Sequence, residues 1–400
     1  MFQLANIHRL VAGVAVFLVS GCDPAPASVD LAPTLVPAIK SEATPNSLQD
    51  FVSRAHAEHN LIALGAVVAS SEGIIDIAVA GLRAKDSADP VQVADKWHLG
   101  SNTKALTALL YAKLVERDLA HWGATLVELF PDLAEDMDPA WRDMPIEDLF
   151  SHRTGMKQMG GFWLNARRND DRSISDQRAI AARDVLTQPP SKPTGDFDYN
   201  NLNYIVAGAA IEVILRSQPD LPDTWEAAMQ VVLFDALEGE ALQSGFGFGP
   251  PLTGLEGHRT ILGTFPRAVG RGKSADNPMV LGPAGTSHAT LESHAALALE
   301  FLKPDSEIIP ASIREKLFAP HPDESSDYAM GWGLYHDPKY GDLVLHSGSN
   351  TMWTSRIIIA PDLDRVVIVN ANLFNDDAQA AIRSVSLEIL DLALLEQTPQ

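Results

Sequence analysis

Residues 97–104 read Trp97-His98-Leu99-Gly100-Ser101-Asn102-Thr103-Lys104, and the apolar run after them predicts a buried helix. A serine in the first turn of such a helix lies at the positive end of the helix dipole, which favours negative charge developing there. Lys104 lies three residues on, on the same face. In apolar surroundings its amine loses its charge more readily and can take the serine proton. The pattern predicts an activated serine nucleophile, although the spacing alone also fits a capping serine and a solvated lysine.

Two later motifs carry side chains that suit the same chemistry. Tyr199-Asn200-Asn201 offers a phenol, which shuttles protons more easily beside a lysine ammonium, and an amide that can orient a substrate carbonyl. His346-Ser347-Gly348 ends an apolar strand and offers a hydrogen-bond donor or proton relay near neutral pH. Gly348 lets a ligand approach the strand backbone closely. Each motif alone also fits a role without catalysis: Tyr199-Asn200-Asn201 fits a turn, and His346 fits a structural histidine on a strand.

Strand-like segments lie near both ends of the chain. They are rich in Val, Ile and Ala, and they span residues 61–69, 74–80, 343–346, 355–359 and 365–370. Amphipathic helices are expected from Ser47 and over residues 378–395, and the long middle is expected to be mostly helical with loops. Residues 245–285 are rich in Gly and Pro, which predicts a long surface loop near a site.

This distribution predicts the fold class. It indicates an α/β chain of the α+β type, with one antiparallel sheet built from both chain ends and flanked by terminal helices. A large helical subdomain is inserted between the two groups of strands. Strands and helices do not alternate along the chain, so a parallel doubly wound sheet is disfavoured.

The three motifs, taken together and in this order, resemble those of the serine β-lactamase and penicillin-binding-protein superfamily. The branch is that of class C β-lactamases, esterases and D-amino-acid peptidases. Asp148–Gly155 is similar to the D-L-L-S-H-x-S-G stretch of this family, and residues 276–285 also resemble a family segment. The resemblance implies one β-lactamase/transpeptidase-like domain over about residues 47–396. Its sheet part would comprise about 47–100 and 331–396, and its helical insert about 101–330.

The resemblance also implies a role for each motif residue. Ser101 would be the nucleophile that forms an acyl-enzyme, Lys104 would activate it, and Tyr199 would be the shared acid and base. Asn201 would hold the amide or acyl side of the substrate. The oxyanion hole would pair the backbone N–H groups of Ser101 and Ser349. His346 stands where many members have the lysine of K-T-G.

The substrate expected from this set is a small ester or a D-amino-acid or cell-wall-derived amide. A neutral His346 attracts a substrate carboxylate less than a lysine does, and the acidic chain makes an anionic substrate less welcome. A β-lactamase or a D-alanyl-D-alanine carboxypeptidase is the alternative within the family. The alternative that is not an enzyme is a binding protein for cell-wall fragments or for a partner protein.

The amino terminus predicts export and anchoring. Residues 1–21 combine a weakly basic start with an apolar run too short to span a bilayer, as in a signal peptide. Val19-Ser20-Gly21-Cys22 resembles a bacterial lipobox, which would make Cys22 the lipidated first residue, and the Pro-rich residues 22–46 would be its tether. The protein would then be held to a bilayer on the periplasmic side of a bacterial membrane. An ordinary secretory signal is the alternative.

Composition excludes several classes of protein. The 400 residues carry 30 Lys and Arg against 52 Asp and Glu, a net charge of −22, which argues against nucleic-acid binding. A single cysteine cannot form an internal disulfide or a cysteine zinc cluster. His288 and His294, six residues apart in a helix-like segment, lack carboxylate partners at ligand spacing. The sequence therefore predicts neither a metal nor a cofactor.

Overall fold

The protein is described from a computed structural model that covers residues 47–261 and 265–397. The signal peptide, the lipobox with Cys22 and the tether therefore lie outside the described residues, and their expected roles remain predictions. None of the helices within the described ranges is long and apolar enough to cross a membrane.

A six-stranded antiparallel sheet forms the frame of the molecule, in the order β2-β1-β11-β10-β9-β8. Its strands come from both ends of the chain: β1 and β2 from the first group and β8 to β11 from the second. The strands of the described chain are β1 (Ala63–Ser70), β2 (Gly73–Gly81), β3 (Lys96–His98), β4 (Gly247–Phe248), β5 (His258–Ile261), β6 (Phe265–Ala268), β7 (Ser287–Thr290), β8 (Gly333–Asp337), β9 (Gly341–Ser349), β10 (Thr354–Ala360) and β11 (Arg365–Ala371).

Helices cover both faces of this sheet. In the described residues they are α1 (Leu48–Glu58), α2 (Thr103–Glu116), α3 (Leu126–Leu129), α4 (Pro139–Arg142), α5 (Ile146–Phe150), α6 (Gly161–Arg168), α7 (Ile174–Leu186), α8 (Asn201–Arg216), α9 (Trp225–Met229), α10 (Glu240–Gln243), α11 (Gly282–Gly285), α12 (Leu291–Ala298), α13 (Ala311–Phe318) and α14 (Asp376–Gln397). The terminal helices α1 and α14 pack on one face, which we call the back face, and the inserted helices lie on the other.

The pairing of β1 with β11 joins the two ends of the chain. Leu64 lies opposite Ala371 in this antiparallel ladder. Successive side chains of a strand point to opposite faces, and the burial follows that rule. Ile357 and Ile359 of β10 join the core under the inserted helices, whereas Ile358 and Ala360 pack against the terminal helices. The expected fold class, one antiparallel sheet built from both ends around a helical insert, is confirmed.

Several local expectations differ from the structure. The insert contains two small sheets, β3-β7-β4 and the hairpin β5-β6. Residues 245–285 are not a surface loop throughout, since Leu255, His258 and Asp276 are buried. These residues alternate with glycines and prolines, so their burial has no periodic signal in the sequence. His288 lies in β7 and His294 in α12, not in one helix.

Candidate active site

Ser101 lies in a 3-10 turn, Gly100–Asn102, that leads directly into α2. The side chain of Ser101 is half-buried, whereas Thr103 and Lys104 after it are fully buried. The serine thus stands at the amino-terminal entrance of α2, in a short turn rather than in the first turn of the α-helix. It remains accessible at the edge of a closed core.

The amine of Lys104 is buried and has three oxygen atoms within hydrogen-bond distance. Its Nζ lies 3.1 Å from Ser101 Oγ, 2.7 Å from Asn201 Oδ1 and 2.7 Å from the carbonyl oxygen of Ala284. An amide oxygen and a carbonyl oxygen only accept, so they use two of the N–H bonds of the amine. The third substituent position of the nitrogen then points toward Ser101 Oγ. There an ammonium donates a hydrogen bond from its third N–H, whereas a neutral amine accepts one with its lone pair.

Tyr199, in the loop before α8, and Asn201, the first residue of α8, both lie next to the same amine. The Tyr199 ring centroid lies 4.9 Å from Lys104 Nζ. Asn200 caps α8, because its side chain accepts from the N–H of Leu202, and this cap directs the two flanking residues to the site. Asn201 Oδ1 accepts a hydrogen bond from Lys104 Nζ, so the NH2 group is the part of this amide that does not contact Lys104. The structure therefore brings Ser101, Lys104, Tyr199 and Asn201 together.

The end of β9 lies directly against the serine turn. Gly100 has a φ of 52°, in the left-handed region that favours glycine, and an added Cβ there would lie 2.4 Å from the backbone nitrogen of Ser349. An added Cβ at Gly348 would lie 2.0 Å from the carbonyl oxygen of Leu99 and 2.8 Å from the nitrogen of Ser101. The two glycines allow the backbones that carry the nitrogens of Ser101 and Ser349 to meet at one place.

His346 is buried beneath this contact and is neutral. Asn102 Nδ2 donates to Ser355 Oγ at 2.8 Å, which turns Asn102 Oδ1 toward His346 Nδ1 at 3.3 Å. The ring proton is therefore on Nδ1, and Nε2 accepts from the Tyr328 hydroxyl at 3.1 Å. Burial, followed by the charge of Lys104, lowers the pKa of His346 to about 3. His346 offers no cation to a substrate.

His152 lies on the other side of Tyr199 and is also neutral. Its Nδ1 accepts from the backbone N–H of Asn200 at 3.2 Å, and its ring centroid lies 4.3 Å from that of Tyr199. Burial, together with the charge of Lys104, holds the pKa of His152 well below its usual value. Arg153 next to it braces the loops around the site, donating to the carbonyl oxygens of His321 and Gly195.

A buried network that sequence reasoning missed links the two backbones of the site. His98 Nδ1 accepts from the N–H of Gly100 at 3.1 Å, so its Nε2 carries the proton and donates to Asp276 Oδ2 at 2.8 Å. Asp276 Oδ1 accepts from Asn350 Nδ2 at 2.8 Å. The carboxylate of Asp276 thus connects the Gly100–Asn102 turn, through His98, with Asn350, the residue after Ser349. Asp276 belongs to a recognised motif, but only the folded chain shows what it touches.

We expect Asp276→Asn to lower kcat for ester hydrolysis roughly ten- to hundredfold while KM changes little. The carboxylate accepts from His98 on one oxygen and from Asn350 on the other, whereas an amide has only one oxygen that accepts. The variant therefore loses one of the two hydrogen bonds that connect the turn of Ser101 with the residue after Ser349. Steady-state kinetics with purified variants measures this effect. Asp342→Asn, at an exposed acid of β9, is the matched control. Wild-type kcat in Asp276→Asn would show that the network does not position the site.

Within residues 47–261 and 265–397, no group of three or more His, Cys, Asp or Glu side chains is arranged to hold a metal ion.

The antiparallel sheet with its helical insert, and the Ser-Lys-Tyr cluster at the junction of the two, define the β-lactamase/transpeptidase-like class of proteins. A model of the beta-lactamase family matches residues 48–388. The chain therefore belongs to the beta-lactamase family, whose members are serine hydrolases.

Individual relatives are distant. The unguisins hydrolase ungD' of Aspergillus campestris is 24% identical over 305 residues, which cover 69% of this chain and 52% of that protein. The chain thus spans about half the length of this curated relative. The octameric penicillin-binding protein homologue of Pyrococcus abyssi superimposes with a TM-score of 0.67 at 20% identity, over 86% of this chain and 76% of the other. The D-amino acid amidase of Ochrobactrum anthropi SV3 gives 0.63 at 17% identity, over 87% and 97%.

Proposed function

We propose that this protein is a serine hydrolase that forms a covalent acyl-enzyme on Ser101. Its substrates are small esters or D-amino-acid and cell-wall-derived amides. The observation that carries this proposal is the position of Lys104 Nζ, 3.1 Å from Ser101 Oγ and oriented by Asn201 Oδ1 and the carbonyl oxygen of Ala284. A nucleophile beside an oriented base is the arrangement that acyl transfer needs.

The proposed reaction runs in two halves. Ser101 Oγ attacks the substrate carbonyl carbon as its proton passes to Lys104 Nζ, and the oxyanion accepts hydrogen bonds from the N–H groups of Ser101 and Ser349. The leaving alcohol or amine receives a proton through Tyr199, and the acyl group stays on Ser101. Water then attacks the acyl-enzyme with the same groups reversing their roles, which releases the acid and restores the serine.

The environment of His346 supports a substrate without an essential carboxylate. The ring is neutral, only 4% of it is exposed, and both of its nitrogens have partners. The chain has a net charge of −22, which disfavours anionic ligands further. Two relatives are named for hydrolysis of unguisins and of D-amino acid amides, which is consistent with an amide substrate.

We also propose that the enzyme works outside the cytoplasm, held to a bilayer through an acylated Cys22. This part rests on the sequence of residues 1–46 alone. Acyl chains supply membrane affinity through buried methylene groups. The Pro-rich tether would then carry the acidic domain away from the lipid surface.

The proposal predicts turnover of p-nitrophenyl butyrate with little turnover of a chromogenic cephalosporin. Both rates are measured on a protein that starts at Asp23, each against the background of Ser101→Ala. Fast serine-dependent cephalosporin turnover would favour a β-lactamase instead, and persistent acylation by penicillin a D-alanyl-D-alanine carboxypeptidase. No turnover of either substrate would favour the non-catalytic binding protein.

A further inference from the structure

A concavity of about 350 Å³ lies on the back face of the sheet, between β10 and the first half of α14. The sheet separates it from Ser101, which lies under the inserted helices. It is lined by one residue of β10 and six of α14, namely Arg356, Asp376, Gln379, Ala380, Arg383, Ser384 and Leu387. Its volume is that of a small-molecule site.

Two arginines dominate this concavity. Arg356 has the same strand parity as Ile358 and therefore points to the back face, where its Nε donates to Ser347 Oγ at 3.3 Å. Arg383 reaches the same space from α14. Burial, followed by the charge of Arg383, lowers the pKa of Arg356 to about 10. Two guanidinium groups therefore share one partly enclosed space and repel each other.

Within residues 47–261 and 265–397, the protein supplies these two cations with no paired anion. Among the described residues, no carboxylate oxygen lies within 4.0 Å of either guanidinium. Two other arginines that reach α14 are paired in the ordinary way, Arg54 with Glu388 and Arg365 with Glu396. Asp376 is the one carboxylate of the lining, and it lies on the exposed rim.

We propose that this concavity is a binding site for the phosphate group of a soluble phosphomonoester. Two positive charges match the two negative charges of a phosphate dianion, and each guanidinium fork can donate two parallel hydrogen bonds to its oxygens. The amide of Gln379 adds a neutral donor at the rim. Arg356 and Arg383 repel each other within the concavity, so an anion that binds between them relieves this repulsion locally. The site is independent of the hydrolase proposal.

Calorimetric titration of the full-length chain with glycerol 3-phosphate at constant ionic strength tests this site. We expect one saturable site per chain, and affinity at least about tenfold weaker in Arg383→Gln, because a charge-assisted contact is lost. Arg54→Gln is the matched control, since it removes a paired arginine from the same layer, and it should bind as the wild type does. Ester hydrolysis and thermal unfolding verify that each variant is folded.

Two further arms decide the outcome. Arg356→Lys keeps the charge but loses the fork, and it should weaken binding even though the fold is retained. Short-chain dihexanoyl phosphatidic acid, used as a monomer, tests a lipid source. Preference for it over glycerol 3-phosphate would keep the phosphate site but assign it to a lipid headgroup. Absence of saturable binding of either ligand, or equal affinity in wild type and Arg383→Gln, would overturn the proposal.

Discussion

Ester hydrolysis is expected to fall by at least about 10⁴-fold when Ser101 is replaced by alanine. Without Oγ no acyl-enzyme can form, and only substrate binding and the oxyanion donors remain. The fold should survive, because Ser101 is half-buried and the described contact of its side chain is one hydrogen bond from Lys104. Losing that bond costs about 1 kcal/mol of unfolding free energy.

Three measurements on this variant separate chemistry from folding. Steady-state hydrolysis of p-nitrophenyl butyrate gives the rate, intact mass after a fluorophosphonate probe gives covalent labelling, and thermal unfolding gives stability. Ser53→Ala removes an exposed hydroxyl from α1, on the back face, and should label and hydrolyse as the wild type does. Labelling of Ser101→Ala at the wild-type rate would move the nucleophile to another residue.

Lys104→Met is expected to give the second largest loss, about 10³-fold in kcat. Methionine has a similar length but can neither accept the proton of Ser101 nor donate to Asn201 Oδ1 and the carbonyl oxygen of Ala284. The serine loses its base, and two buried oxygens lose their donor. Fluorophosphonate labelling of Ser101 should slow by a similar factor, since it depends on the same proton transfer.

Lys113→Met is the matched control for the lysine. Lys113 lies on the same helix, is also buried and pairs with Glu116, but it is more than two helical turns away from Ser101. It should retain the labelling rate of the wild type. If Lys104→Met kept the wild-type kcat, the base would have to be another group, and Tyr199→Phe would then be the next variant to measure.

The two histidines beside the Ser-Lys-Tyr cluster add no positive charge to it at neutral pH. Burial and the charge of Lys104 hold the pKa values of His152 and His346 below their usual value, so both stay neutral at pH 7. Both rings lie beside Tyr199, and His346 belongs to β9, the strand that carries Ser349. We infer that they position the catalytic groups.

Sequence patterns predicted the frame of the fold well, because strands and helices that bury one side carry a periodic signal. Residues 61–69 and 365–370 have the continuous apolar character of strands buried on both faces, and they form β1 and β11, two neighbouring strands inside the sheet. The strand-like character of residues 97–100 agrees with β3, whereas β4 to β8 were not predicted. They are two to five residues long, which is too short for a two-residue alternation to stand out in the sequence.

The chain order of Ser101-Lys104, Tyr199-Asn201 and His346-Gly348 was enough to predict which motifs belong to one site. It did not show that Asn201 Oδ1 is taken by Lys104, or that His346 is bound on both sides by Asn102 and Tyr328. Local spacing determines the face of a helix or strand on which a side chain lies. Partners that are 97 or 244 residues apart are determined by packing.

The same division applies to the charges. Composition determined that the protein is acidic, since net charge is a sum over residues. Only the folded chain brings Asp276 between His98 and Asn350. It also brings Arg356 beside Arg383, with no carboxylate oxygen of the described residues within 4.0 Å of either guanidinium. Electrostatic interactions depend on distance and burial, and both are set when strands and helices from remote parts of the sequence pack together.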